Sequence, residues 1–218
     1  VNKGAIFFFV RLDSQPGLEH YCQPVEYRTY LLFGPPGSGK GTQGKILGSI
    51  PGFFHVACGE VFRALDLRSD IGKAFLEFSS KGQLVPDEVV LQLWRNHIQN
   101  MITLSRFKPD IDHLVLDGIP RNVDQAKILE GDLDVRQVFH LSCPDQNKLV
   151  ERMKRRALKE NRLDDANEEI IQKRLATYEL ETAPVLDYYG KSKLVSVDST
   201  QYPYEVLRDI LSHINTGE

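Results

Sequence analysis

Cysteine is scarce in this 218-residue chain. Cys22, Cys58 and Cys143 are few, odd in number and far apart, which excludes a disulfide framework and a thiolate metal cluster. A reducing compartment, the cytoplasm, is the expected setting. Long hydrophobic runs are missing too. Ala5 to Val10 is apolar for only six residues, against about 20 for a bilayer span. It also lacks the length and the small-residue cleavage site of a secretory leader. Neither charge is in large excess: the formal net charge is -3, so no nucleic-acid or membrane-surface partner is expected. There is no internal repeat and no low-complexity tract. What is present is an ordinary globular composition, 41% hydrophobic and 26% charged, in a length that supports one domain with a real apolar core.

Short apolar runs alternate with longer helical patterns. The runs are Tyr30 to Phe33, Phe53 to Ala57, His113 to Leu116, Val138 to Leu141 and Leu194 to Val197. Each closes shortly before Gly, Pro or Asp, and such continuous apolar strands suit a parallel sheet buried on both faces. Between them, Gln43 to Ile50 reads as a helix. Pro86-Asp87-Glu88 starts another, with Val90, Leu93, Trp94, His97, Ile98 and Met101 on one face. Pro144-Asp145 opens a third. Residues 168–189 form a fourth that Pro184 should kink or break. The alternation predicts a three-layer α/β fold around a parallel sheet of five strands. Residues 1–28 match no motif and are expected to be an appended segment, dispensable for activity. The domain proper is expected over 29–215.

Gly34-Pro35-Pro36-Gly37-Ser38-Gly39-Lys40-Gly41-Thr42 lies between the first strand and the first helix. Glycines let backbone N–H groups curl around phosphate oxygens, and the following helix adds the positive end of its dipole. Lys40 supplies a cation for the β- and γ-phosphates, and the Thr42 hydroxyl is placed for Mg²⁺. Against the strict phosphate-loop pattern, Gly41 separates Lys40 from Thr42. This departure, with Gln43 after it, resembles the nucleoside monophosphate kinases, the adenylate kinases in particular.

The resemblance covers about residues 29–215. Gly59-Glu60-Val61-Phe62-Arg63 and Gly82-Gln83-Leu84-Val85-Pro86-Asp87 look like the two ends of that family's monophosphate-binding insert, here 58–85. Asp117-Gly118-Ile119-Pro120-Arg121-Asn122, with Gln125, looks like its central signature. Physical reasons run alongside. Asp117 ends a strand beside the loop, where a carboxylate can hold Mg²⁺ through water. Arg63 and Arg121 can fork onto a monophosphate. Gln125 has a donor and an acceptor for a base edge. Resemblance assigns it adenine; pyrimidine-specific relatives tend to carry Asn there. Where the family usually shows Thr-Gly-Asp, this chain has Cys58-Gly59-Glu60, which bears on how strictly AMP is selected.

From Lys148 to Arg162 the chain carries seven basic residues against two acidic ones. Arg152 and Arg156 share a helix face, Arg162 and Asp164-Asp165 follow, and Arg174 lies on the next helix. This pattern is similar to the short-lid adenylate kinases, with a lid over 153–162. No cysteine lies there, so a structural zinc is not expected.

The resemblance therefore implies an ATP site of Gly37, Ser38, Gly39, Lys40, Gly41, Thr42 and Arg152, and an AMP site of Cys58, Arg63, Val85, Gly118, Arg121 and Gln125. Lys40, Arg121, Arg156, Arg162 and Arg174 would surround the migrating phosphoryl, with Asp164 and Asp165 orienting the arginines. Thr42 and Asp117 would serve Mg²⁺. The implied reaction is Mg·ATP + AMP ⇌ 2 ADP, carried out by a monomer whose partners are ATP, AMP and ADP. Other readings are a UMP- or CMP-type kinase of the same fold, a phosphate-loop module without turnover, and a basic nucleic-acid-binding protein. Cys58 has two readings of its own. A helix N-terminus and Arg63 favour a reactive thiolate shielded by substrate, whereas burial would raise its pKa and leave it inert.

Overall fold

A computed structural model describes residues 26–66, 68–160, 165 and 167–214. Five strands, β1 (Tyr27–Phe33), β2 (Phe53–Ala57), β3 (His113–Asp117), β4 (Leu133–Ser142) and β5 (Leu194–Asp198), form one sheet. Its order is β2-β3-β1-β4-β5, and every neighbouring pair is parallel. The three-layer fold expected from the sequence is the one observed.

Strand β1 shows why. Its alternate side chains face opposite layers. Leu31 and Phe33 join the core under α4 (Asp87–Thr103), α5 (Val123–Leu129) and α8 (Pro184–Tyr189). Tyr30 and Leu32 join the core under α1 (Lys40–Leu47) and α9 (Pro203–Leu211). A third, smaller cluster holds α6 (Gln146–Glu160) to α7 (Glu168–Thr177) through Leu149, Met153, Ile171 and Leu175. Two further helices, α2 (Cys58–Arg63) and α3 (Asp70–Ser80), lie between β2 and α4.

Three expectations change. Strand β1 takes in Tyr27 and Arg28, which the sequence pattern assigns to the extension. Tyr27 pairs with Leu133 and sets its ring edge-on to Trp94 and Phe107. Residues 27 and 28 are thus part of the fold. Helix α1 begins at Lys40 rather than Gln43, because Gly39 adopts φ 100° and turns the chain into the helix three residues earlier. Finally, the helix over 168–189 changes at Tyr178, not at Pro184. Residues Tyr178–Thr182 form a π-helical turn, and Pro184 opens α8 at a position where no N–H is needed.

Helix α1 sits unusually close to β2. A Cβ on Gly44 would lie 2.2 Å from His55 Nε2, and one on Gly48 would lie 2.6 Å from His55 Cβ. Two glycines four residues apart therefore make the seat for the His55 ring. Burial pushes the pKa of that ring down.

Candidate active site

The strand order reverses around β1, whose neighbours are β3 and β4. Ligand crevices in open α/β sheets lie outside the carboxyl ends of strands at such a point. A cleft of about 710 Å³ opens there. The loop Gly34–Gly39 leaves β1 into it, and α1 starts from it. Gly34, Gly37 and Gly39 all have positive φ. At Gly34 a side chain is impossible, since its Cβ would lie 2.6 Å from Leu141 O.

The donor-side residues named from the sequence come together. Gly37, Ser38, Gly39, Lys40, Gly41, Thr42 and Arg152 all line the cleft. The Lys40 ammonium donates to its own loop, to Gly34 O at 2.6 Å and Pro35 O at 3.1 Å. Its pKa is lowered to about 8, mainly by burial, with Arg156, Arg121 and Arg174 lowering it further and Asp117 opposing. The Ser38 hydroxyl is buried and has no partner among the described residues. Arg152 donates to Ser199 O at 2.9 Å, which fastens α6 to the loop after β5.

Arg156 and Arg174 are brought together by Asp165. The Asp165 side chain is fully buried. It accepts from Arg156 Nε at 2.9 Å and Nη2 at 2.6 Å on one oxygen, and from Arg174 on the other. A carboxylate buried between two guanidiniums fixes both of them. Arg162 and Asp164 lie outside the described residues.

The acceptor-side residues divide. Arg63, Gly118 and Arg121 line the cleft. Cys58, Val85 and Gln125 are buried at 3%, 7% and 0% exposure and are not part of its wall. Gln125 Oε1 accepts from Arg121 N–H at 2.8 Å, and its amide donates to Asp87 at 2.6 Å. Asn122 caps α5, accepting from Gln125 N–H while donating to both Asp87 oxygens at 3.0 Å. Burial raises the Cys58 thiol to about 11, outweighing Arg121 and Arg63, which favours the inert reading of this residue over the thiolate one.

Asp117 ends β3 in register with Leu32 of β1, the second residue before the loop. Its carboxylate and the Thr42 hydroxyl face the same cleft, and a Cβ on Gly41 would lie 3.6 Å from Asp117 Oδ2. Two hard oxygen donors suit Mg²⁺, which binds few protein ligands and takes the rest from water and phosphates. No group of three or more His, Cys, Asp or Glu that could hold a metal occurs among the described residues. Two such oxygen donors fit Mg²⁺ that arrives with a nucleotide.

Sequence reasoning missed part of the cleft lining. Ser199, Gln201 and Pro203 line the cleft, and so do Tyr178 and Thr182 of the π-helical turn. Their signal was faint: a strand end before a helix-starting proline, and a threonine just ahead of Pro184.

Comparison with known proteins agrees with this geometry. A family model described as adenylate kinase matches residues 32–194. An adenylate kinase from Rhodococcus erythropolis is 39% identical over 175 residues, covering 78% of this chain and 89% of its own length. One from a Cyanothece species is 36% identical over 187 residues, with 83% and 91% covered. One from Parabacteroides distasonis is 33% identical over 192 residues, with 85% and 96% covered. With a phosphate loop, its lysine and an arginine pair held by a buried aspartate on one cleft, and with these matches, the chain belongs to the adenylate kinase family of nucleoside monophosphate phosphotransferases.

Proposed function

We propose that this protein catalyses reversible, Mg²⁺-dependent transfer of the γ-phosphoryl group of ATP to AMP, giving two ADP. The observation that carries the reading is a single cleft lined both by the phosphate loop with Lys40 and by Arg63 and Arg121. Arg156 and Arg174, held by Asp165, line the same cleft.

In this reading a phosphate oxygen of AMP attacks the γ-phosphorus while the bond to the β–γ bridging oxygen breaks, and ADP leaves. The nucleophile is already ionised at neutral pH, so no general base is needed. The loop N–H groups and the Ser38 hydroxyl bind the ATP phosphates, and Lys40 leaves its loop carbonyls to follow the migrating group. Arg63 and Arg121 hold the AMP phosphate in line. Arg156, Arg162 and Arg174 offset the charge spread over the equatorial oxygens. Arg152 packs by the ATP base. Bound Mg²⁺, served by Thr42 and Asp117, neutralises phosphate charge.

Water would hydrolyse ATP, so the insert at 58–85 and the lid at 153–162 close over the substrates. Gln125, with Cys58, Val85 and Gly118, forms the adenine end of the AMP site. Reaching Gln125 from the cleft requires that end to open. The described arginines of one chain line one cleft, so a second copy is not needed to complete it, and the protein is taken to act as a monomer. The free thiols of Cys58 and Cys143 suit the cytoplasm.

The test is direct. Protein and Mg·ATP are mixed with AMP, GMP, UMP or CMP, and ADP is followed. Fastest ADP formation with AMP is expected; faster use of UMP or CMP would replace this reading with the pyrimidine one. No turnover with any monophosphate would leave a binding module.

A further inference from the structure

The helical run after the lid touches three parts of the site in sequence. Arg174 of α7 binds Asp165. Three residues on, the Thr177 hydroxyl lies 3.3 Å from Gly82 O, at the close of the monophosphate insert. The π-helical turn comes next, with Ala183 N–H donating to Tyr178 O at 2.9 Å, five residues back. At its end the Thr182 hydroxyl donates to Arg121 O at 2.8 Å. An extra residue in a helical turn rotates the remainder of the helix by about 100°. A regular α-helix would carry Thr182 to a different face and away from Arg121.

Arg121 is held on every backbone group it has. Its N–H is bound by Gln125 from α5, its C=O by Thr182, and its Nε donates to Gly118 O at 2.9 Å. The aim of its terminal nitrogens is then set by the Nε bond to Gly118 O together with the two peptide groups beside its Cα. We propose that Thr182 is a positioning residue for Arg121, and that the π-helical turn exists to bring its hydroxyl there. The inference rests on the reading of Arg121 as the ligand of the acceptor phosphate. It adds that the helix carrying Arg174 also sets the aim of Arg121, so both arginines are referenced to one rigid element.

The test uses the full chain with Thr182→Val, Thr182→Ser, Arg121→Ala, and Thr182→Val combined with Arg121→Ala. Valine keeps the shape and removes the donor; serine keeps the donor. Thr182→Val is expected to raise the KM for AMP about tenfold, the size of one hydrogen bond, with the KM for ATP within about twofold. Thr182→Ser is expected to stay within about threefold of the parent for AMP. In the Arg121→Ala background, Thr182→Val is expected to add nothing. An unchanged AMP KM, equal rises for both nucleotides, or a full additional effect without Arg121 would overturn the proposal. Should the valine variant fail to fold, Thr182→Ala is measured against Thr182→Ser in the same way. If Arg121→Ala alone leaves AMP use intact, the acceptor-site reading fails, and that variant separates this failure because Thr182 is unaltered in it.

Discussion

The two halves of the cleft are built by different means. Apart from Arg152 on α6, the donor half is one contiguous loop with one helix after it, and each donor-side residue named from the sequence lies on the cleft wall. The acceptor half is assembled from β2, α2, α4, α5 and the π-helical turn, and only Arg63, Gly118 and Arg121 of its six named residues reach the wall. A glycine loop offers backbone N–H groups, so its function follows from chain conformation alone. The acceptor half works through side chains whose aim is set by partners far along the chain, such as Asp87, 38 residues from Gln125.

Lys40→Met tests the donor half most severely. Loss of the mobile cation at the migrating group is expected to lower kcat by about 10²-fold or more with the fold intact. Activity within a few-fold of the parent would remove the distinction between the halves. Arg121→Ala should affect the other half alone. A charged contact to phosphate corresponds to about 10- to 100-fold in AMP affinity, with ATP affinity changed by only a few-fold. Separate titrations decide it, and a collapse of ATP binding instead would invert the site map.

A pH profile sharpens the comparison further. Lys40 is charged below a pKa of about 8 and neutral above it. The kcat/KM for ATP is therefore expected to fall as pH rises through about 8. In kcat the fall should come at higher pH, because bound phosphates favour the ammonium. A kcat/KM that stays flat to about 1.5 pH units above that pKa would show that the Lys40 pKa is not lowered in the free enzyme.

The smallest effect belongs to Cys58. With its thiol raised to about 11 and the side chain buried, native alkylation is expected to be negligible with or without AMP. Labelling should appear only in denaturant. Native labelling slowed by AMP would restore the reactive reading.

Most of the sheet was legible because each strand is a continuous apolar run ending at a turn residue. The first half of β4 was not. Leu133-Asp134-Val135-Arg136-Gln137 alternates in character, and its pairing with β1 shifts register between Thr29 and Tyr30. Tyr27 was missed for a related reason: its value to the fold lies in contacts with Trp94 and Phe107, both distant in sequence. On the acceptor side the motif from Asp117 to Gln125 was legible. That Gln125 spends an amide N–H on Asp87 and a lone pair on Arg121 was not, since this is decided by packing. The π-helical turn was hidden for the same cause, with only Pro184 visible as a breaker. Burial, invisible locally, also bears on Cys58.

The seat of His55 on α1 has a mechanical consequence. The closure proposed for the insert and the lid needs something that stays put, against which their travel is measured. Helix α1, mounted nearly flush on the sheet by Gly44 and Gly48, is well suited to be that datum, because the ring of His55 leaves it no slack toward β2. Gly44→Ala would act as a wedge, pressing a methyl into the ring and tilting the helix that carries Lys40. The damage should then show in the alignment of the transferred group more than in the melting temperature: a tilted baseline misplaces every movement referred to it, even when each moving part is intact.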